Sequence, residues 1–253
     1  MTLMPQQTSA EVQHRAERRF GTRTALSFVA VFLVAVPLAL LVVMITTKFS
    51  PLRHADHDTA SALHSYAAQH RGFTTAMVWI SRAGSPLAWW IVLTPVCAWL
   101  IYRRSRRLAA FLVVTALGSS VLNSLVKTAV DRARPILIDP VAHASGKSFP
   151  SGHTQAATVG CGILVLIFLP VVSRARRHWL WGSAAVVVAV IGFSRIALGV
   201  HYLSDVLGGL VLGAAWLAAM TAAFSAWQRE LHVHPSGATE GLEPAVRGGH
   251  GRH

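Results

Sequence analysis

Hydrophobic positions along the chain gather into six runs, 25–46, 85–102, 108–126, 154–172, 179–193 and 205–227, divided by polar or basic stretches. These runs are near the roughly 20 apolar residues a helix needs to cross a bilayer. A backbone in lipid must pair its own polar groups, and a helix does so. The first run is too long for a signal-peptide core and no small-residue cleavage site follows it, so it reads as a retained span. Between the first two runs, residues 48–84 are mixed. Within them, 73–81 is too short to span and suits a helix lying at the interface, with Trp79 at headgroup level. The pattern predicts an all-α polytopic membrane protein: a six-transmembrane-helix bundle with an interfacial helix in its first outer loop. Residues 1–24 form a polar, basic N-terminal segment, 25–228 the membrane domain, and 229–253, rich in Gly, His and Pro, a disordered tail.

Composition agrees: of 253 residues, 53% are hydrophobic and only 13% charged, about half the charge of a soluble domain. A formal charge of +13 could suggest nucleic acid. The Arg residues, however, sit in short clusters between apolar runs, which fits the positive-inside pattern and not a nucleic-acid surface. With a cytoplasmic N-terminus, the inner side receives 12 Lys and Arg, or 14 with the tail, and the outer side 9. The inner residues are packed into very short loops, which places both termini in the cytoplasm and makes this a multi-pass cell-membrane protein. Cys97 and Cys161 lie inside apolar runs and read as small buried hydrophobes. His54-Ala-Asp56-His57-Asp58 has metal-ligand residue types, but no second cluster completes a shell, so a hydrated loop is the better reading.

Six spans in this order bring two segments, 127–153 and 194–204, to one face, the outer one. Three groups of unusual residues meet there: Lys127 with Arg134-Pro135, Pro150-Ser151-Gly152-His153, and Ser194-Arg195 with His201 and Asp205. Three permanent cations in one place invite a multiply charged anion, and Arg matches phosphate oxygens with paired donors. Gly152 lets the backbone approach closely. Ser151-Gly152-His153 opens the fourth span, whose free N–H groups can face the same anion. His201 and Asp205 are one helical turn apart and can touch. Asp205 is the only Asp or Glu between Asp139 and Glu230, and an isolated acid beside a membrane run is a functional candidate. Taken singly, each has a plainer role: Ser204 or Asp205 capping a helix with His201 idle in a loop, Lys127 and Arg134 snorkelling to headgroups. Their convergence on one face argues for a site.

The three groups resemble the signature of the type 2 phosphatidic acid phosphatase family of membrane lipid phosphatases, which shares its active site with bacterial class A acid phosphatases and vanadium haloperoxidases. That signature is Lys, six residues, Arg-Pro; Pro-Ser-Gly-His; and Ser-Arg, five residues, His, three residues, Asp. Every fixed position matches, over about residues 85–227. The resemblance implies that His201 is the nucleophile and forms a phosphohistidine. It implies that Asp205 accepts a hydrogen bond from the far nitrogen of His201 and that His153 protonates the leaving group and then activates water. Lys127, Arg134, Ser151, Gly152 and Arg195 would hold the phosphoryl oxygens.

No cofactor and no metal is expected, since no group of outer-face carboxylates is available to hold magnesium. The expected partners are membrane lipids and an amphiphilic substrate, a phospholipid or isoprenyl diphosphate such as undecaprenyl diphosphate or phosphatidic acid. Alternatives are a phosphotransferase using the same intermediate and, in another class, a lipid transporter or scramblase. The transporter would place its polar residues at mid-span; here they lie at span ends on one side. A haloperoxidase fits less well, because those relatives are soluble.

Overall fold

A computed structural model describes residues 36–135 and 145–233, and within them the chain forms helices with no strand. In order these are α1 (Val36–Thr46), α2 (Ser50–Gln69), α3 (Arg71–Ala83), α4 (Pro86–Tyr102), α5 (Arg106–Val130), α6 (Gly152–Phe168), a short 3-10 turn (Arg174–Arg176), α7 (Arg177–Ala197) and α8 (Leu203–Val233). The expected cytoplasmic segment 1–24, the start of the first span and residues 234–253 of the expected tail lie outside the described residues, whereas the tail's first residues, 229–233, continue helix α8. Among the described residues, three helices are long and apolar enough to cross a membrane, or up to five if each bent pair counts as one span, against the six expected for the whole chain.

Local chemistry sets the boundaries. Ser85 caps α4 by accepting the Ala88 N–H at 3.1 Å, with Pro86 in the first turn where its missing N–H costs nothing. α5 stops at Asp131, which takes the left-handed conformation (φ 52°) that Asp tolerates better than most residues. α6 ends at Phe168, short of the expected 172: Leu169 still takes helical backbone (φ −53°, ψ −38°), but Pro170 has no N–H to donate to the preceding turn and its ring crowds that turn's carbonyl.

The 48–84 segment departs most from expectation. It is two helices, α2 and α3, and α2 meets α1 at 87°. The short helix expected at 73–81 runs over Arg71–Ala83 and joins α4 through a 45° bend at Gly84-Ser85, so the pair can act as one broken span.

α6 is the central helix and packs against α4, α5, α7 and α8. Its Ala157, Val159, Ile163 and Val165 are buried; Val159 and Ile163 form one core with Leu93, Leu100 and Leu112 from α4 and α5, and Ala157 packs with Val188 and Ile191 of α7. α6 and α8 approach closely because α8 offers Gly209: a Cβ there would lie 2.5 Å from the Ser151 carbonyl oxygen. Small residues let backbones meet in this way. Polar contacts fix the register of α5 on α6. The Gln155 amide donates to Ser119 O (3.0 Å) and Ser119 Oγ (2.9 Å), and its oxygen accepts from Asn123 at 2.6 Å. Leu117, Val121 and Leu125 on α5 and Val186 on α7 stay exposed, as befits faces turned to lipid.

Candidate active site

At the end of the bundle where α5 stops and α6 and α8 start, a cavity of about 600 Å³ is lined by Lys127, Arg134, Gly152, His153, Arg195 and His201. Six of the eight sequence-predicted residues therefore face one space. The other two, Ser151 and Asp205, lie behind its wall and are fully buried. The Ser151 N–H donates to the Asp205 carbonyl at 2.9 Å, tying the start of α6 to the start of α8, while its Oγ accepts from the Thr154 hydroxyl at 3.1 Å.

His201 does not share a helix with Asp205, as the spacing suggested. It sits in the tight connection before α8, where Gly199 takes φ 69°, a left-handed conformation that costs glycine little. With α8 opening at Leu203, Asp205 is its third residue. Asp205 Oδ2 reaches back to the Tyr202 N–H at 2.8 Å, the reciprocal half of a capping box. Capping and pairing with the imidazole are thus one arrangement. Oδ2 lies 3.4 Å from His201 Nδ1. That is an ion-pair distance with poor hydrogen-bond geometry, and Nδ1, buried, has no bonding partner among the described residues. Contacts of this kind often tighten only when substrate binds.

The opposite nitrogen, Nε2, lies 3.2 Å from Arg134 Nη1. A guanidinium can only donate, so Nε2 must carry a lone pair and the proton belongs on Nδ1, toward Asp205. Burial pushes the His201 pKa down to about 4; Asp205 opposes this, and Arg134 and Arg195 add to it. The imidazole is neutral at pH 7, with its Nε2 lone pair directed to Arg134 on the cation side of the cavity.

Arg134 is held by carbonyls on both sides. Nε donates to Gly146 O at 3.0 Å, Nη2 to Ser145 O at 3.1 Å and Nη1 to Val200 O at 2.8 Å. It thereby joins the loop before α6 to the loop before α8. Lys127, in the last turn of α5, donates to Lys147 O at 2.9 Å, so it bends over the cavity. Arg195 is 8% exposed; its Nη1 donates to Ser81 Oγ, while its Nε is buried without a partner among the described residues. Gly152 and His153 open α6, an N-terminus that no side chain caps, and such termini favour anions. A Cβ at Gly152 would meet only Asn123 Oδ1, at an ordinary 3.4 Å, so the protein itself does not demand glycine there.

Sequence reasoning missed several residues. Ser81, Arg82, Ser85 and Asn123 also line the cavity, and Ser148 donates to Asp205 Oδ2. The His54–Asp58 cluster is not a hydrated loop. It lies on α2, and Asp56 is fully buried against Arg132 and Ser204. Among the described residues, no three His, Cys, Asp or Glu are grouped to hold a metal ion. Beside this cavity, a smaller slot of about 230 Å³ runs between α4, α5 and α6, lined by Trp89, Trp90, Leu93 and Val159 and sharing Pro86, Asn123 and Gly152 with the cavity.

A family model described as the PAP2 superfamily matches residues 107–229. A decaprenylphosphoryl-5-phosphoribose phosphatase from Mycobacterium tuberculosis is 32% identical over 162 residues, covering 60% of this chain and 81% of the relative. The chain belongs to the PAP2 superfamily. Phosphatidylglycerophosphatase B from Bacillus subtilis is 36% identical over 96 residues, 37% of this chain; the match spans about half (46%) of that relative's length. The crystal structure of a transmembrane PAP2-type phosphatidylglycerolphosphate phosphatase from Bacillus subtilis superposes with a TM-score of 0.63 at 25% identity, covering 76% of this chain and 96% of that one. The PAP2 model takes in α5 to α8 and with them all eight predicted residues, whereas α2 and α3 fall outside it. This PAP2 protein is an all-helical membrane protein.

Proposed function

We propose that this protein is an integral membrane lipid phosphatase that hydrolyses a phosphate or diphosphate lipid through a phosphohistidine on His201. The observation that carries the reading is the cavity in which a buried, neutral imidazole, its Nε2 lone pair engaged by Arg134, faces Lys127, Arg134 and Arg195. In the reaction, Nε2 attacks phosphorus while the bond to the lipid oxygen breaks, and His153 protonates the departing oxygen; burial and the surrounding cations push His153 down to about 3, so it takes up that proton from water as the negatively charged phosphate enters beside it. Water, relieved of a proton by His153, then cleaves the P–N bond and releases phosphate. Uncatalysed phosphate monoester hydrolysis needs acceleration of up to about 10²¹-fold, and a general acid supplies only about 10²–10⁴ of it. Positioning and charge stabilisation must supply most of the rest, which suits three cations and a helix N-terminus. Ser151 acts through the backbone bond that fixes the start of α6.

The substrate is amphiphilic, its phosphate in the cup and its chain in the aromatic slot beside it. The names of the relatives favour undecaprenyl or other polyprenyl phosphates and phosphatidylglycerophosphate over soluble esters. The mouth opens on the extracytoplasmic face, with both termini in the cytoplasm. Transfer to a second lipid instead of water proceeds through the same intermediate and is separated from hydrolysis by its products. The test is phosphate release by purified protein in detergent across a panel of lipid phosphates and diphosphates. We expect turnover that His201→Ala and His153→Ala abolish; full turnover in His201→Ala would overturn the reading. Reagents that label cysteines at 145 and 200 from opposite sides of the bilayer would overturn the single mouth.

A further inference from the structure

Behind His201 lies a charged chain that the signature residues do not include. Asp205 Oδ2 serves Tyr202, Ser148 and the imidazole; its other oxygen, Oδ1, accepts Arg132 Nη1 at 2.7 Å. Arg132 Nη1 also donates to Ser204 Oγ at 2.6 Å, and Nη2 donates to Asp56 Oδ2 at 2.7 Å. Asp56 is saturated from the same side, with Ser204 Oγ donating to Oδ2 at 2.6 Å and the Ser204 N–H to Oδ1 at 2.9 Å. The Tyr202 ring covers the guanidinium at 4.3 Å. Asp56, Ser204 and Asp205 are each 0% exposed.

Burying an acid on α2 at this point is costly unless it is paired. Asp205 could have been held by Arg132 alone, and a guanidinium cannot cap α8; Asp56 does that by accepting the Ser204 N–H. A lone Arg132 against Asp205 would form a neutral pair and take from His201 the negative charge that stabilises a positive imidazole. Asp56 changes the sum: two carboxylates and one guanidinium leave a net charge of −1 behind the ring. It also fixes the second arm of the guanidinium, so that Oδ1 is held and Oδ2 is turned to Nδ1.

We infer that Asp56 and Arg132 are positioning residues that act through Asp205 to orient His201 and preserve its counter-charge. The inference rests on the proposed phosphohistidine chemistry and extends the working site to α2, outside the segment the family model matches. Neither residue lines the cavity that holds His201; both face a separate one of about 530 Å³ beside α1 and α2, so direct contact with a phosphate in the cup is not theirs. At metal sites, losing the partners that orient a ligating side chain costs about 10–100-fold, and a loss of that order is expected here.

The test is steady-state phosphate release by the full-length protein in detergent for Asp56→Asn, Asp205→Asn and the double variant. Asp56→Asn is expected to lower kcat about 10–100-fold with KM within threefold. In the Asp205→Asn background, Asp56→Asn is expected to cost less than threefold more, because its route to the imidazole is already cut. Wild-type kcat in Asp56→Asn, a loss confined to KM, or a full additional loss in the double variant would overturn the inference. If Asp56→Asn is not recovered folded, Arg132→Lys decides. It keeps the charge but cannot hold both carboxylates as the guanidinium does, and is expected to lose kcat with KM intact; wild-type kcat overturns the inference. An inactive wild-type protein across the whole lipid panel would instead refute the phosphatase reading.

Discussion

Gly209→Ala tests whether the contact of α8 with the start of α6 sets the site. The added Cβ would lie 2.5 Å from Ser151 O, 3.2 Å from Thr154 Cβ and 3.3 Å from Gln155 N. The first and last are backbone atoms and cannot rotate away. Relief requires the helices to part by several tenths of an ångström at the place where Ser151 is bonded to Asp205. Overpacking of this kind costs about 1–3 kcal/mol, and at about 2–4 °C per kcal/mol melting should fall by roughly 3–10 °C. Catalysis should suffer more, because misplacing reacting groups by about 1 Å can cost 10²-fold. Gly182→Ala is the control: it lies in α7 with nothing within 4 Å of the new Cβ, and should leave melting and kcat unchanged or raise stability by up to about 1 kcal/mol. The assay is thermal unfolding in detergent together with phosphate release for both variants. Wild-type melting and kcat in Gly209→Ala would refute the reasoning.

Further outcomes follow from single contacts. Ser81→Ala removes the hydroxyl that holds Arg195 Nη1 and should raise KM about 3–10-fold with a smaller change in kcat, read from saturation curves; an unchanged KM would count against Arg195 as a phosphate ligand. His201, depressed to about 4 by burial, stays neutral down to that pH and gains its proton only below it. Histidine-labelled spectra should show the resonance missing from His201→Ala titrating near 4; a midpoint near 6.5 would contradict the buried, arginine-flanked setting. Unfolding makes that histidine ordinary again, so the folded state loses stability as pH falls from about 6.5 to 4. Activity should persist in excess chelator, and strict dependence on a divalent metal would contradict the cation-based scheme.

The signature residues were legible because their chemistry is conspicuous: cations, histidines and one acid at the ends of apolar runs. The helices that carry them were legible for the same reason, since long apolar runs have few other ways to exist in lipid. Helix α2 was not. Its buried stripe is Asp56, Ala60, His64 and Ala67, helical in spacing but neither long nor apolar, so a search for hydrophobic periodicity passes over it. The role of Arg132 was hidden in the same way, because its partner Asp56 is distant in sequence and lay in what read as a loop. The four-residue spacing of His201 and Asp205 pointed correctly to a contact, although the contact arises from a turn and the first coil of a helix. Ser151 looked like a ligand by its place in the motif, yet close packing of α8 on α6 turns it into the wall.

The central claim is that His201 takes the phosphoryl group. The most direct measurement is rapid denaturing quench of the protein turning over a radiolabelled phosphate lipid, followed by analysis of the bound label. The account predicts an acid-labile, alkali-stable label on His201 in the wild type and none in His201→Ala. Label retained in His201→Ala, or none in a wild-type protein that is turning over, would contradict it.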